Sequence, residues 1–523
     1  MGIRFNGVRI GWIVPLLLVA TSASAGADLR LLEAVKKVDV AAVRSLLAQH
    51  ADVNARQADG ATALAWAANR DDLESAELLI RAGADANVAN EYGATPLSLA
   101  CAKGSVAMVE KLLKAGANAN AAQLSGETAL MTATETGSLP AVNLLLTAGA
   151  DANAKEPKEG QTALMWAVAG KHADIAQALI EHGADVHARS RGGFTALLFA
   201  AQQGDVNAAK TLLAAGAEVN EKAPERANAS KTPAATDPAK NADAQPARGG
   251  AAPNRRGDGG APGVPSPLLL ASASGQQEIS LFFLDKGADP NVADARGFTA
   301  LHYAALRRNN LELVKALLAH GANPNVRLSR NAPNTAGISE MTVAGATPLL
   351  LASAAGNTGA IRALAAAGAD LKIGTRENTT PLMVAAGVGL FEDRKEEPQK
   401  AATEAVKLLV ELGADVNAAG EHGWTALHGA AYTGANATIQ FLVDKGAKMD
   451  VMDSFGQTPL SIAEAVVTPG VVNDAYKRGR AFRKSTSELL LKLGATPVAA
   501  SGVQVVEGAL PADYSAVTTA DAE

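Results

Sequence analysis

A single cysteine and eight histidines are the residues of this chain best suited to nucleophilic or metal chemistry. Cys101 stands at a small-residue position inside an apolar run. A nucleophilic thiol wants a histidine partner and an exposed, electropositive setting. Cys101 has neither in its sequence neighbourhood, so a buried, inert thiol is expected. The histidines follow a pattern of their own. His50, His182 and His320 directly precede a Gly-Ala stop or stand in its place, and His187 follows one. His172 falls between two apolar runs, His422 precedes a glycine, and His302 and His428 each follow Thr-Ala-Leu. His182 and His187 are five residues apart, and Glu181 does not complete the two-histidine zinc motif on one helix face. No glycine-rich phosphate loop carries the required lysine. Gly192-Gly193 and Gly249-Gly250 are turn glycines. A Gly-x-Ser-x-Gly elbow and a Cys-x-x-Cys-His haem site are both missing. The chain is therefore expected to have no catalytic residue, no metal and no cofactor.

The elements around these residues recur. Thr-(Ala/Pro)-Leu begins at Thr62, Thr95, Thr128, Thr162, Thr195, Thr299, Thr347, Thr380, Thr425 and Thr458. Most steps are 33 residues, and the step from Thr128 to Thr162 is 34. Three steps are longer. Ser266-Pro-Leu268 divides the one from Thr195 to Thr299, and its second part is again 33. A fixed period of this length marks a solenoid of stacked supersecondary units.

One unit can be read from Thr62 to Asn87. The Thr62 hydroxyl suits the orphan N–H groups at a helix start. Where the next residue is proline (Pro96, Pro348, Pro381, Pro459), its missing N–H costs nothing in the first turn. Leu64, Ala67 and Ala68 give a first, thin helix that a neighbour can approach closely. The polar residues Asn69–Asp72 break it. Ala76, Leu78, Leu79 and Ile80 give a second helix, which Gly83 ends in the left-handed position. Asp85 and Asn87 offer oxygens to a turn, and Asp59-Gly60 marks a hairpin tip. Ordering one such unit costs on the order of 50 kcal/mol. Its two short helices must cover their apolar surface with neighbours, so stability resides in nearest-neighbour interfaces.

Gly413-Ala-Asp-Val-Asn417 followed by Gly423-Trp-Thr-Ala-Leu-His428 shows the pattern most fully. Gly-Ala-Asp recurs at Gly83, Gly149, Gly183, Gly287, Gly368 and Gly413. Gly-Ala-Asn occurs at Gly116 and Gly321, and Gly-Ala-Glu at Gly216. This unit resembles the ankyrin repeat. The resemblance implies an all-α solenoid of helix-turn-helix units joined by β-hairpin turns, about twelve units over roughly residues 28–497. His302 and His428 stand at the family's histidine position. Ala65, Ser98, Met131 and Ser461 replace it elsewhere.

Residues 1–25 read as a signal peptide. Arg4 and Arg9 precede the apolar run Ile10 to Ala20, and Ala23-Ser24-Ala25 is a cleavage site. That run is too short to span a bilayer. A repeat block follows over 28–220. Its first unit lacks the Thr-Pro-Leu half, and Lys36, Lys37 and Arg44 suit a terminal cap facing water. Residues 221–264, rich in Ala, Pro, Gly, Asn and charge, read as a disordered insertion at a hairpin tip. The repeats resume in phase over 265–497, so the insertion is either a loop in one array or a linker between two. Further insertions occupy Arg327 to Val343, Val388 to Lys400 and Val466 to Arg480. Residues 498–523 read as a flexible tail. Arg256-Gly257-Asp258 is a weak adhesion motif within a Gly/Arg/Asp-rich segment. Asn228-Ala-Ser230, Asn378-Thr-Thr380 and Asn436-Ala-Thr438 fit the glycosylation pattern.

Net charge is −6 over 523 residues, which excludes nucleic acid as a default partner. Surface remains as the site of function. In the ankyrin family, partners bind the concave side formed by hairpin tips and first helices. Transfer by repeat position picks Tyr92, Phe298, Trp424 and Phe455 at or beside tips. It picks Arg70, Gln202, Gln203, Arg307, Arg308 and Tyr432 near the ends of first helices. Aromatic and arginine side chains are the usual interface anchors. Phe194, Phe298 and Trp424 can equally pack against the next hairpin, while Trp66 and Trp166 read as core. The expectation is a monomeric, non-catalytic protein-binding scaffold with no membrane span in the mature chain. It would be exported to the periplasm or secreted. A secreted effector that binds a host protein is one alternative. A ligand-binding or enzymatic site built from the loop insertions is another.

Overall fold

The computed structural model describes residues 29–221, 266–329, 343–389, 396–465 and 482–497. The candidate signal peptide, Arg256-Gly257-Asp258, Asn228, the tail and most of each insertion lie outside the described residues. Among the described residues the chain forms twelve helix pairs and almost no strand. Two compact units divide it, residues 1–158 and 159–523.

The first unit holds four pairs. Its first helices are Arg30–Lys36, Ala63–Arg70, Pro96–Lys103 and Ala129–Glu135. Its second helices are Val40–Ala48, Leu73–Arg81, Val106–Lys114 and Leu139–Thr147. First helices pack on first helices and second on second, so each pair covers its neighbour's apolar face. Ala67, Ala68, Ala100 and Ala133 are fully buried between successive first helices.

The second unit repeats this two-row packing with eight pairs, from Ala163–Ala169 and Ala173–Glu181 to Pro459–Ala463 and Lys484–Lys492. The insertion at 222–265 falls inside it, and the repeats on either side stack directly. Asn220 Nδ2 donates to the Gly287 carbonyl (3.0 Å), and its Oδ1 accepts from the Asp289 N–H (2.8 Å). Gln276 Nε2 reaches the Gln202 carbonyl (3.3 Å). The helices Ala196–Gln203 and Pro267–Ser274 on either side of the insertion are packed neighbours.

The helix starts follow the sequence pattern. Thr62, Thr95, Thr128, Thr162, Ser266, Thr347, Thr380 and Thr458 are extended, and each side-chain oxygen accepts from the N–H three residues on. Second helices are capped too, by Asp39, Asp72, Ser105, Asp205 and Asn357. The polar residues that break the chain between helices therefore start the next helix as well.

Asparagines join one repeat to the next. Asn87 Oδ1 accepts from the Asn118 N–H (2.7 Å), and its Nδ2 donates to the Gly116 carbonyl (3.0 Å). Asn54, Asn120, Asn220, Asn291, Asn325 and Asn417 make the same two-way bond to the repeat that follows. At the last joint Asp450 replaces asparagine and holds both the N–H and the hydroxyl of Thr496.

Candidate protein-binding surface

Hairpin tips and the ends of first helices form the candidate surface. In the first unit the tips are linked in series. The Glu91 N–H donates to the Asp59 carbonyl (2.8 Å), and the Leu124 N–H donates to the Tyr92 carbonyl (3.0 Å). Tyr92 stands 54% exposed and Leu124 77% exposed. Tyr92 is thus at the surface, as its position in the pattern implies. Leu124 escaped the sequence reading because it is neither aromatic nor charged. Its signal was an apolar residue inside a turn, Gln123-Leu-Ser-Gly126. Arg70 is exposed at the end of its first helix.

In the second unit the candidates divide. Phe298 is 3% exposed and sits in a core of Leu328, Val343, Ala346, Leu350, Leu351, Ala354 and Val384. It is a packing residue and not a contact for a partner. The lengthened hairpin brings Leu328 and Val343 over its ring. Tyr303 stacks on it at 5.0 Å between centroids. Arg307 and Arg308 serve the helices. Arg307 Nη2 donates to the Ala273 carbonyl (2.8 Å) in the preceding repeat, and Arg308 Nε to the Ala355 carbonyl (2.8 Å) in the following one. Each satisfies an orphan carbonyl at a helix end. Gln202 and Gln203 are half-buried, and the Gln202 carbonyl is held by Gln276.

Trp424, Tyr432 and Phe455 are all half-buried. Trp424 Nε1 donates to Asp453 Oδ2 (2.8 Å), which ties its ring to the next hairpin. Tyr432 packs on Trp424, and Phe455 packs on His422. Met452, 43% exposed, lies in the same hairpin as Phe455.

Cys101 and the two histidines at the family's position are spent on structure. His428 is fully buried. Its Nδ1 accepts from the Thr425 N–H (3.1 Å), and Nε2–H donates to the Gln457 carbonyl (3.2 Å) of the next repeat. His302 bonds Thr299 in the same way. Its Nε2 has no partner in hydrogen-bond geometry. Burial pushes the His302 imidazole down to about 4 and lowers His428 as well, so both are neutral at pH 7. Ser98 and Ser461 close the same box on Thr95 and Thr458. At Thr380 the Met383 sulfur takes the histidine's place (3.4 Å). Cys101 is buried, and burial pushes its thiol up to about 12. Among the described residues no three His, Cys, Asp or Glu side chains are grouped to hold a metal. No described helix is long and apolar enough to cross a membrane. Of the glycosylation candidates, the Asn436 side chain is engaged by Ser485 and Thr486, while Asn378 is exposed.

Stacked helix pairs joined by hairpin tips define a helical repeat protein. A family model, ankyrin repeats in three copies, matches residues 31–123, 66–156, 106–190, 130–223, 252–327 and 399–466. These matches cover more than half of the chain, and the chain belongs to the ankyrin repeat family. Ankyrin repeat and SOCS box protein 16 of Homo sapiens is 38% identical over 230 residues, covering 38% of this chain and 47% of that protein. Ankyrin repeat and SOCS box protein 3 of Bos taurus is 29% identical over 201 residues, 38% of this chain and 33% of that protein. E3 ubiquitin-protein ligase KEG of Arabidopsis thaliana is 30% identical over 312 residues, 59% of this chain and 16% of that protein. The chain spans less than half the length of each. Repeats of this family mediate protein–protein interaction, and the shared region is repeat sequence.

Proposed function

We propose that this chain is a non-catalytic scaffold that binds a partner protein through its hairpin tips and first-helix ends, in an exported compartment. The carrying observation is the placement of Tyr92 and Leu124. They are large apolar side chains left in water at consecutive tips, while the cysteine and the family histidines are buried in packing. Exposed apolar groups on a rigid frame are what an interface uses. Trp424, Tyr432 and Phe455, half-buried near hairpin tips, supply further aromatic surface. Export is supported by the charged, apolar and small-residue order of residues 1–25. The names of the relatives carrying SOCS boxes or ligase activity describe those proteins. Repeat sequence alone offers this chain their recognition role and not their chemistry.

The test is affinity capture from the exported fraction with three forms of the chain. These are the wild type, a tip variant (Tyr92→Ser with Leu124→Ser) and a second-helix variant (Glu404→Ala). Capture of one dominant protein that the tip variant loses and the second-helix variant keeps is the expected result. Capture that ignores the tips overturns the proposal. Mass spectrometry of the exported chain tests the compartment, with loss of residues 1–25 expected.

A further inference from the structure

A cavity of about 520 Å³ lies in the last repeat, between Gly434 and residues 482–488. Phe482 is 38% exposed at its wall, and Lys484 is exposed beside it. Arg483 lies across Gly434. The Ser485 and Thr486 hydroxyls are engaged by Asn436. An aromatic ring, two cations and the Glu488 carboxylate are thus what an occupant meets. The adjoining elements add little negative charge. Gln399 bonds the Gly434 carbonyl (3.5 Å) and is followed by Lys400, while Glu404 is paired with Lys407 (2.8 Å). Glu464 is buried and accepts from Ser487. The sequence here is basic as well. From Asp474 to Lys492, six Lys and Arg stand against two carboxylates, Asp474 and Glu488. From Leu493 to Glu523 the sign reverses, with Glu507, Asp513, Asp521 and Glu523 and no Lys or Arg.

We infer that this cavity seats the chain's own segment Val503-Gln-Val-Val-Glu507. Valine side chains would cover Phe482, and Glu507 would meet Arg483 and Lys484. The reach is right. The array ends where Asp450 holds Thr496, just beyond the far end of the helix Lys484–Lys492. A nine-residue helix is about 13 Å long. The stretch from Pro497 to Val503 spans up to about 20 Å, so residue 503 can return to the cavity at the helix start. Tethering over so short a stretch gives an effective concentration of roughly millimolar, at which a few side-chain contacts suffice. Opposite charge in adjoining segments favours this occupant over a foreign one, which would have no tether. The hairpin tips play no part in it.

The test is amide hydrogen exchange of the full chain, read on residues 503–507. At low salt these amides are expected to exchange about tenfold more slowly than in a free peptide of residues 498–523. At about 1 M salt that protection should be lost. Phe482→Ser and, separately, Lys484→Glu should each remove most of it. Lys484→Glu combined with Glu507→Lys should restore part of it, as charge pairing requires. Arg362→Glu, exposed on a second helix of another repeat, should change nothing. Phe482 and Lys484 are exposed, so little stability is at stake, and circular dichroism of each variant checks that the array is folded. Equal exchange in the chain and the free peptide overturns the inference. Heparin binding lost on Lys484→Glu would in that case assign the cavity to a foreign polyanion. Protection that survives both Phe482→Ser and Lys484→Glu seats the segment elsewhere and overturns the inference too. None of these readings involves Tyr92 or Leu124, so the scaffold proposal stands or falls separately.

Discussion

Replacing His428 by alanine removes a side chain that serves two repeats. The Thr425 N–H and the Gln457 carbonyl would both lose a buried partner. The expected cost is about 2–4 kcal/mol, read from urea unfolding of the full chain. The buried histidines also give a pH signature. A folded pKa of about 4 for His302, against 6.5, means that the unfolded chain binds its proton first as pH falls. The stability is fully present above pH 6.5 and is lost on the way down to about 4, amounting to roughly 3 kcal/mol. Glu221 and Glu377, raised mainly by burial, act in the opposite sense. Their contribution is present below 4.5 and lost as pH rises through their folded values. His302→Gln should therefore flatten the fall in stability between pH 6.5 and 4, with chemical unfolding at several pH values as the measurement. Cys101 should resist thiol reagents in the native chain and react fully in denaturant. His428 and Cys101 were legible in the sequence because the period places each at a fixed position of a first helix. Phe298 was not. Its cover comes from Leu328 and Val343, on either side of an insertion, and no local pattern brings them together.

At the scale of the element, the joints between repeats are the informative feature. Asn291→Ala should cost about 1–2 kcal/mol, because the Asn323 N–H and Gly321 carbonyl lose their partner. Thermal melts of the variant beside wild type would measure it. Gly429→Ala should cost more. An added Cβ would lie 2.6 Å from the Val388 backbone nitrogen, in a buried first helix. The helices themselves were readable from threonine caps, alanine faces and glycine stops. The asparagine joints were not, since each looks like a local turn residue and its partners lie about one repeat further on. Arg307 and Arg308 show the same blind spot. Their types suggest interface anchors, and their bonds are made to helix ends in neighbouring repeats.

For the molecule as a whole, the stacking of Pro267–Ser274 on Ala196–Gln203 decides how the long insertion should behave. The bonds from Asn220 to Gly287 and Asp289 hold the flanking repeats whatever the 44 residues between Glu221 and Ser266 do. Replacing those residues by a short Gly/Ser linker should leave the array folded. Shortening the loop should stabilise it by about 1–2 kcal/mol through closure entropy, measured by circular dichroism and thermal melts. The return of the 33-residue phase at Ser266 made this register legible. The division at residue 158 was not legible, because the period passes through it with a single extra residue.

The asparagine joint has a consequence for how such a chain can change length. Seven described repeats donate and accept through an asparagine of their own, onto backbone groups of the successor. An in-frame duplication of one such period therefore creates a new joint without inventing any new chemistry, and a deletion heals the same way. His187 and Lys372 stand at the asparagine's position in two repeats, and at the last described joint Asp450 holds Thr496. A copy of a repeat that carries the asparagine would bring its joint with it, and a copy of one that carries His187 or Lys372 would not.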